Sequence, residues 1–466
     1  NTMSEDINRR KFIEQASCAA VGTASLFSTL LTLRMTAGAA SGGGPFAGYK
    51  ALVCLFLNGG NDSYNMLVPR DATAHAEYST ARTSLALPSG SLLPITSTGQ
   101  DYTDFGIHPK LPILQSLYNA GDAAFVANVG TLVEPTSLGD YNAKAVQLPT
   151  GLFSHADEQT HWQTLVPQTR GAGPKGWAGR MAECMSQANS MGSIGMNLSL
   201  SGNNILQTGN SSVPYITGPN GVTLLNGYDQ ASGNAQTIAK TNAVDSILSE
   251  TYKNLYQGTL STSNRASIDT GIEFNNAVTP LATTEAFPSS QIGDRLEVIS
   301  KVMQARTTLG MDRQIFFVER GGWDHHSELL QPQVDLFTEV NDAITSFWAE
   351  MGHLGLQNDV VLYTISDFGR TLTSNGSGSD HAWGGNHFVI GGDVNGGKIY
   401  GEYPVLATGG PLDIGRGRLL PTTSADAYGS EIASWYGVPN TELETVFPNA
   451  TNFFNPVSTP NPLGIF

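Results

Sequence analysis

Ala51-Leu52-Val53-Cys54-Leu55-Phe56-Leu57 is an unbroken apolar run of strand length, and it stops at Asn58-Gly59-Gly60-Asn61-Asp62. A short run that is apolar at every position marks a strand buried on both faces, as the central strands of a parallel sheet are. Four more runs of this kind follow, at residues 123–127, 315–318, 360–365 and 388–390. Between them, residues 295–306 and 334–351 space their apolar side chains by three and four, the helical period. Strands alternating with helices predict an α/β fold, a three-layer sandwich around a mostly parallel sheet.

Residues 186–245 depart from this pattern. They are rich in Ser, Asn and Gly and poor in charge, with residues 213–216 and 222–225 as short strand candidates, and they read as a loop-rich or β-rich insertion. A last helix is predicted over 425–436, where Gly437 and Pro439 supply stop signals. No fixed-period repeat is present, which excludes a solenoid or propeller.

The chain has 466 residues, 40% of them hydrophobic, 14% charged and 52 of them Gly. Ordinary apolar content excludes disorder as the main state. At roughly 150 residues per domain the length allows about three domains, but the continuous alternation favours one domain over 49–466, after a Gly-rich leader at 40–48. Lys and Arg number 24 against 40 Asp and Glu, a net charge of −16. So acidic a chain excludes a nucleic-acid or anionic-membrane partner, since either needs a basic surface. Three Cys make no disulfide framework; Cys54 and Cys184 read as buried free thiols or at most one disulfide.

Asn8-Arg9-Arg10-Lys11-Phe12-Ile13, a weakly apolar stretch from 16 to 33 and Ala37-Gly38-Ala39 have the form of a twin-arginine export signal over residues 1–39. Gly22 and several Ser and Thr make that stretch a poor membrane helix, so no stable transmembrane anchor is expected. The expected location is periplasmic or extracellular. Export of an already folded protein suits cargo that acquires a metal in the cytoplasm.

Ligands of open α/β sheets collect where loops leave the carboxyl ends of the strands. Three of the runs end there in an Asp: Gly59-Gly60-Asn61-Asp62, Gly321-Gly322-Trp323-Asp324-His325-His326, and Ser366-Asp367-Phe368-Gly369-Arg370. Asp380-His381-Ala382-Trp383-Gly384-Gly385-Asn386-His387 follows, and six of the nine His (155, 161, 325, 326, 381, 387) fall in three short segments. Carboxylates and imidazoles converging on one crevice are the ligand set of a divalent metal, Zn and Mn being the usual occupants. Paired glycines let the backbone turn sharply and approach a ligand closely. Ser154 precedes a helical pattern, with Asp157 at the capping-box offset and Trp162 and Leu165 as an apolar face. It reads both as a helix N-cap and as a nucleophile whose alkoxide a helix N-terminus stabilises.

These segments together resemble the bacterial domain-of-unknown-function 1501 family, regarded as a branch of the alkaline phosphatase and sulfatase superfamily. Leu420-Pro421-Thr422-Thr423 and Trp435-Tyr436-Gly437-Val438 fit the same pattern. The resemblance implies an alkaline-phosphatase-like sandwich and an exported metal-dependent hydrolase of small-molecule or polymer phosphate or sulfate esters, holding one or two divalent ions (Zn, Mn or Ca). Carried over, it makes Asp62 the first-strand ligand and Ser154 the nucleophile. Asp324 and His326 ligate one ion, assisted by His381 or His387, and Asp367 ligates the second. In that superfamily a His commonly follows this last Asp; here Phe368 does, so the second site is short of a ligand, filled by His381 or His155, or absent. Arg370 reads either as a fork onto phosphate or sulfate oxygens or as a salt bridge at the rim. The competing expectation is a non-catalytic, metal-stabilised binding or assembly protein of the cell envelope, with an envelope protein as partner.

Overall fold

The computed structural model describes residues 48–170, 175–189 and 194–466. The export-signal reading and nearly all of the leader lie outside them. Residues Tyr49–Phe466 form one compact unit.

Its main sheet has nine strands among the described residues: β1 Lys50–Leu57, β2 Ala123–Gly130, β3 Asn197–Ser199, β4 Tyr215–Ile216, β5 Arg313–Arg320, β6 Val360–Ser366, β7 Gly385–Ile390, β8 Ile399–Tyr400 and β9 Thr423–Ser424. The order is β8-β2-β7-β6-β1-β5-β3-β4, with β9 also on β2. Pairings are parallel except those of β7, which runs against both β2 and β6. The fold is thus mixed α/β around a largely parallel sheet, and all five apolar runs lie in it.

Register places the site. Leu57 pairs with Arg320 on one side and with Ser366 on the other, so β1, β5 and β6 end flush. The loops beginning at Asn58, Gly321 and Asp367 therefore leave the sheet side by side. Because β7 is reversed, its amino end lies at the same edge. That brings the preceding hairpin, Arg370–Ser374 against Ser379–His381, over the ends of the parallel strands.

The pleat sorts the apolar runs onto two faces. Ala51, Val53, Leu55 and Leu57 pack into the cluster of Leu296, Ile299, Phe337 and Ile344, from the helices Gln291–Gln304 and Leu330–Leu354. On the other face Tyr363 meets Trp177 and Tyr428, from the helices Trp177–Cys184 and Ala425–Tyr436. Each fully buried large apolar side chain contributes about 1.5–3 kcal/mol, so the sheet edge is anchored by interior packing on both sides. Cys54 and Cys184 are free and buried.

The insertion is only partly as expected. Tyr215–Ile216 is a strand at the sheet edge, but 222–225 has no regular structure, and the helix Ala235–Ser249 begins inside the span. Asn234 caps that helix, accepting from the backbone of Gln236 and Thr237. A polar, Asn-rich sequence thus starts a helix where it was expected to form loop or strand.

Candidate functional site

The helix His155–Thr164 begins where Gly151 and Phe153, at φ 63° and 71°, turn the chain back on itself. Ser154 stands at the N-cap but makes no side-chain capping bond. The expected capping box does not form, because Asp157 binds Arg170 instead, at 3.0 and 3.1 Å. Residues 155 and 159, one helical turn apart, share a face, and both reach the loop after β6. His155 Nδ1 lies 2.7 Å from Asp367 Oδ2, and Gln159 Nε2 donates to the same oxygen at 2.8 Å. Gly59 N donates to Asp367 Oδ1 at 3.0 Å. Gly59 tolerates this approach because it has φ 122°; a Cβ there would sit 2.6 Å from Asp324 N.

His155 turns its Nε2 to Asp324 Oδ2, 3.3 Å away. Asp324 Oδ1 lies 3.1 Å from His326 Nε2 and 3.2 Å from His381 Nε2. One ligand atom each from His155, Asp324 and His381 lies within 4.8 Å of the others, and this is the one group of potential metal-holding side chains found among the described residues. His326 closes it, with its Nε2 only 2.8 Å from that of His381.

The other ring nitrogen of each histidine is committed. His381 Nδ1 faces the carbonyl of Phe153 at 2.7 Å, and a carbonyl only accepts, so this nitrogen carries the hydrogen. His155 Nδ1 faces the Asp367 carboxylate, and His326 Nδ1 faces Asp380 Oδ1 at 3.1 Å. An oxygen on Nδ1 fixes the tautomer and aims an Nε2 lone pair, which is how metal-bound imidazoles are oriented. The two Nε2 atoms, 2.8 Å apart, share a hydrogen or take a cation between them.

Electrostatics follow from these contacts. The hydrogen bond to Asp367 raises the pKa of His155 above the usual imidazole value against the opposing effect of burial. Burial lowers that of His381, reinforced by His155 and Arg370 and opposed by the Phe153 carbonyl. Burial pushes Asp324 up, but the Arg370 hydrogen bond and charge, with His326 and His155, bring it below the ordinary carboxylate value. Burial pushes Asp380 up, but hydrogen bonds from Asn375, Arg416 and His326, with the charge of Arg416, together bring it down to about 2.

The structure brings Asp324, His326 and His381 together and sets Ser154 immediately before His155. The other expected residues are placed differently. Asp62 is fully buried and bound to Arg82 at 2.7 Å, with Ser379 Oγ donating to the same oxygen, so it faces a cation already supplied by the chain. Asp367 is spent on orienting His155. Arg370 is wholly buried and donates to Asp324 Oδ1 at 2.7 Å and to Ser379, so its fork holds a carboxylate of the chain rather than standing open. His387 lies inside β7, opposite Val126, stacked on Tyr428 and edge-on to Trp162. Burial drives it down to about 3, which makes it a neutral core residue. The reversal of β7 explains the difference: His381 precedes the strand and stays at the edge, while His387 is carried into the sheet. The sequence offers His155 only as a substitute ligand, yet its i, i+4 spacing to Gln159 is a legible sign of a shared polar face.

Residues 49–411 match the model of a family described as "Protein of unknown function (DUF1501)". None of the curated proteins matches the chain. Similar solved structures include the PsFucS1 sulfatase from Pseudoalteromonas sp., at 10% identity and TM-score 0.32 over 88% of this chain and 71% of that one. Another is the soluble domain of lipooligosaccharide phosphoethanolamine transferase A from Neisseria meningitidis, at 10% identity and TM-score 0.34 over 84% and 89%. A third is the C-terminal periplasmic domain of EcEptC from Escherichia coli, in complex with Zn, at 10% identity and TM-score 0.29 over 75% and 74%. No helix among the described residues is long and apolar enough to cross a membrane.

Proposed function

Since the chain belongs to the DUF1501 family, whose description names no chemistry, we propose its function from the site itself: a metal-dependent hydrolase of phosphate or sulfate esters, in the manner of the alkaline phosphatase and sulfatase superfamily. The observation that carries this reading is the convergence of three Nε2 atoms, each with its Nδ1 held by an oxygen, on the carboxylate of Asp324. Imidazoles with a carboxylate suit Zn, whereas Ca prefers an all-oxygen shell. His155, Asp324 and His381 would hold the ion, with His326 beside them, which leaves a position for substrate. When bound, it would supply positive charge that polarises an anionic ester.

The remaining roles belong to the chain. Ser154 is the nucleophile, on a short turn that keeps its oxygen out of the usual capping bond and beside His155. Arg370 is a positioning residue: it fixes Asp324 and keeps it ionised. Asp367 orients His155. With Asp62 and Asp367 both committed within the chain, one ion is proposed rather than two. Export by the twin-arginine route to the periplasm or cell exterior belongs to the same reading.

The test is a screen of phosphate and sulfate esters with the full chain loaded with Zn, Mn or Ca, beside the Ser154→Ala variant. Turnover in the wild type that disappears in the variant while bound metal persists supports a serine hydrolase. Absence of turnover with every metal, in protein that binds one ion per chain, favours the binding or assembly reading, which draws on the commitment of Asp62 and Asp367.

A further inference from the structure

With Arg370 buried, the ester's anionic group needs another partner, and the loop before β9 provides one. Asp413 gathers this loop: its carboxylate accepts from the backbone N–H of Gly409, Gly415 and Gly417, at 2.8, 2.7 and 2.8 Å. Gly415, Arg416 and Gly417 all have positive φ, 110°, 62° and 67°. For Arg416, a residue with a Cβ, this is a strained conformation that the surroundings must enforce. Thr373 Oγ1 bonds Arg416 O at 2.8 Å, and Leu372 N bonds Gly417 O at 3.0 Å, which fastens the loop to the hairpin carrying His381.

The loop delivers two arginines to the site with different commitments. Arg416 pairs with Asp380, the residue that orients His326. Arg418 donates its Nε to His381 O at 3.0 Å and lies over the Phe153 ring, 4.8 Å from its centroid. Phe153 in turn holds His381 through its carbonyl and directly precedes Ser154. The guanidinium is thus pinned by one nitrogen on the backbone of His381 and by one face on Phe153, the residue next to Ser154 in the chain. Neither Nη of Arg418 has a hydrogen-bond partner among the described residues, and the residue is only half-buried. A planar fork fixed at Nε with both Nη groups open matches two oxygens of a tetrahedral oxyanion.

We propose that Arg418 is the residue that recognises the anionic group of the substrate, selecting phosphate or sulfate monoesters over neutral esters. This rests on the hydrolase reading for its substrate but not for its test. Binding of inorganic phosphate and of sulfate to the Zn-loaded full chain, by titration calorimetry, is compared among wild type, Arg418→Ala and Arg418→Lys. KM and kcat for an aryl phosphate and an aryl sulfate are measured in parallel. Loss of a fork of charge-assisted hydrogen bonds is expected to weaken anion binding and raise KM by about 10- to 100-fold, with kcat changed much less. Lys, which keeps the charge without the fork, should fall between, and Zn stoichiometry and Tm should stay at wild-type values. Equal anion affinity in wild type and Arg418→Ala overturns the proposal, as does a wild type that binds neither anion. So does a loss of Zn in Arg418→Ala that Lys repairs, which would make the residue a support for His381. A chain that binds phosphate through Arg418 but hydrolyses nothing leaves the subsite standing and removes the hydrolase reading instead.

Discussion

The helix His155–Thr164 carries a histidine on each of two faces, each beside a carboxylate, and their fates differ. On one face His155, with Gln159, meets Asp367 and Asp324 at the sheet edge, every imidazole there has an oxygen on Nδ1, and the cluster is open to solvent, with Asp324 and His326 exposed by 41% and 45%. On the other face Glu158 and His161 are buried, with His161 Nδ1 3.6 Å from Glu158 Oε2, and neither Glu158 Oε1 nor His161 Nδ1 has a hydrogen-bond partner among the described residues. Nearby Arg180 donates to Thr164 O at the end of this helix and is coupled to Asp426, a buried acid whose two carboxylate oxygens are both unpartnered. Imidazole and carboxylate thus make an aimed, reachable donor set in one place and buried core polarity in the other. Proximity alone does not make a site; orientation by fixed acceptors and access from solvent do.

The largest expected effect lies on the open face. Asp324→Ala should reduce bound Zn to background in metal analysis of the folded fraction after dialysis, and should also lower stability, because it takes the carboxylate partner from the buried guanidinium of Arg370. Retention of one ion per chain would erase the distinction between the two faces. Next in size, Asp62→Ala should destabilise the fold by about 3–5 kcal/mol in denaturant titration, because it strands the buried guanidinium of Arg82. Metal stoichiometry of the folded fraction should be unchanged, and a variant that loses metal without losing stability would return Asp62 to the ligand set. Asp367→Asn should weaken Zn affinity by about 10- to 100-fold, the usual cost of removing the carboxylate behind a ligating histidine; competition with a chromophoric chelator reads this directly.

The smallest effect belongs to the buried side. Burial raises the pKa of Asp426 to about 8, above its unfolded value, so the folded state binds more protons than the unfolded state between about pH 4 and pH 8. Stability should therefore be fully present below the unfolded pKa and fall as pH rises through that window. Asp426→Asn should flatten the decline, melting about 2–4 °C or more above wild type at pH 8.5 and near it at pH 5. A pH-independent difference would contradict the neutral state inferred for this acid.

Much of the architecture was legible because its signal is local. An apolar run such as 51–57 has to be buried on both faces wherever it lies, and an Asp or Gly pair just after it has to sit at a sheet edge. His326 and His381 were legible for the same reason, each a few residues from the end of a strand or hairpin. Asp62, Arg370 and His387 were not, since their roles turn on partners distant in sequence: Arg82, Asp324, and the packing of Trp162 and Tyr428. The helix Ala235–Ser249 was missed because its polar, small-residue surface carries little apolar periodicity.

The chain's own sequence determined that an α/β sheet forms, which strands occupy its centre, and that acids and histidines collect at their carboxyl ends. Those outcomes follow from burial pattern and chain direction, which each segment carries within itself. Only the tertiary structure decided which of those residues face one another, because that depends on the flush register of β1, β5 and β6, the reversal of β7 and the strained loop around Asp413. It set Asp367 against His155 and Arg370 against Asp324, and it laid Arg418 over Phe153. Hydrogen-bond commitment is a property of pairs, and a pair exists only once the chain has folded.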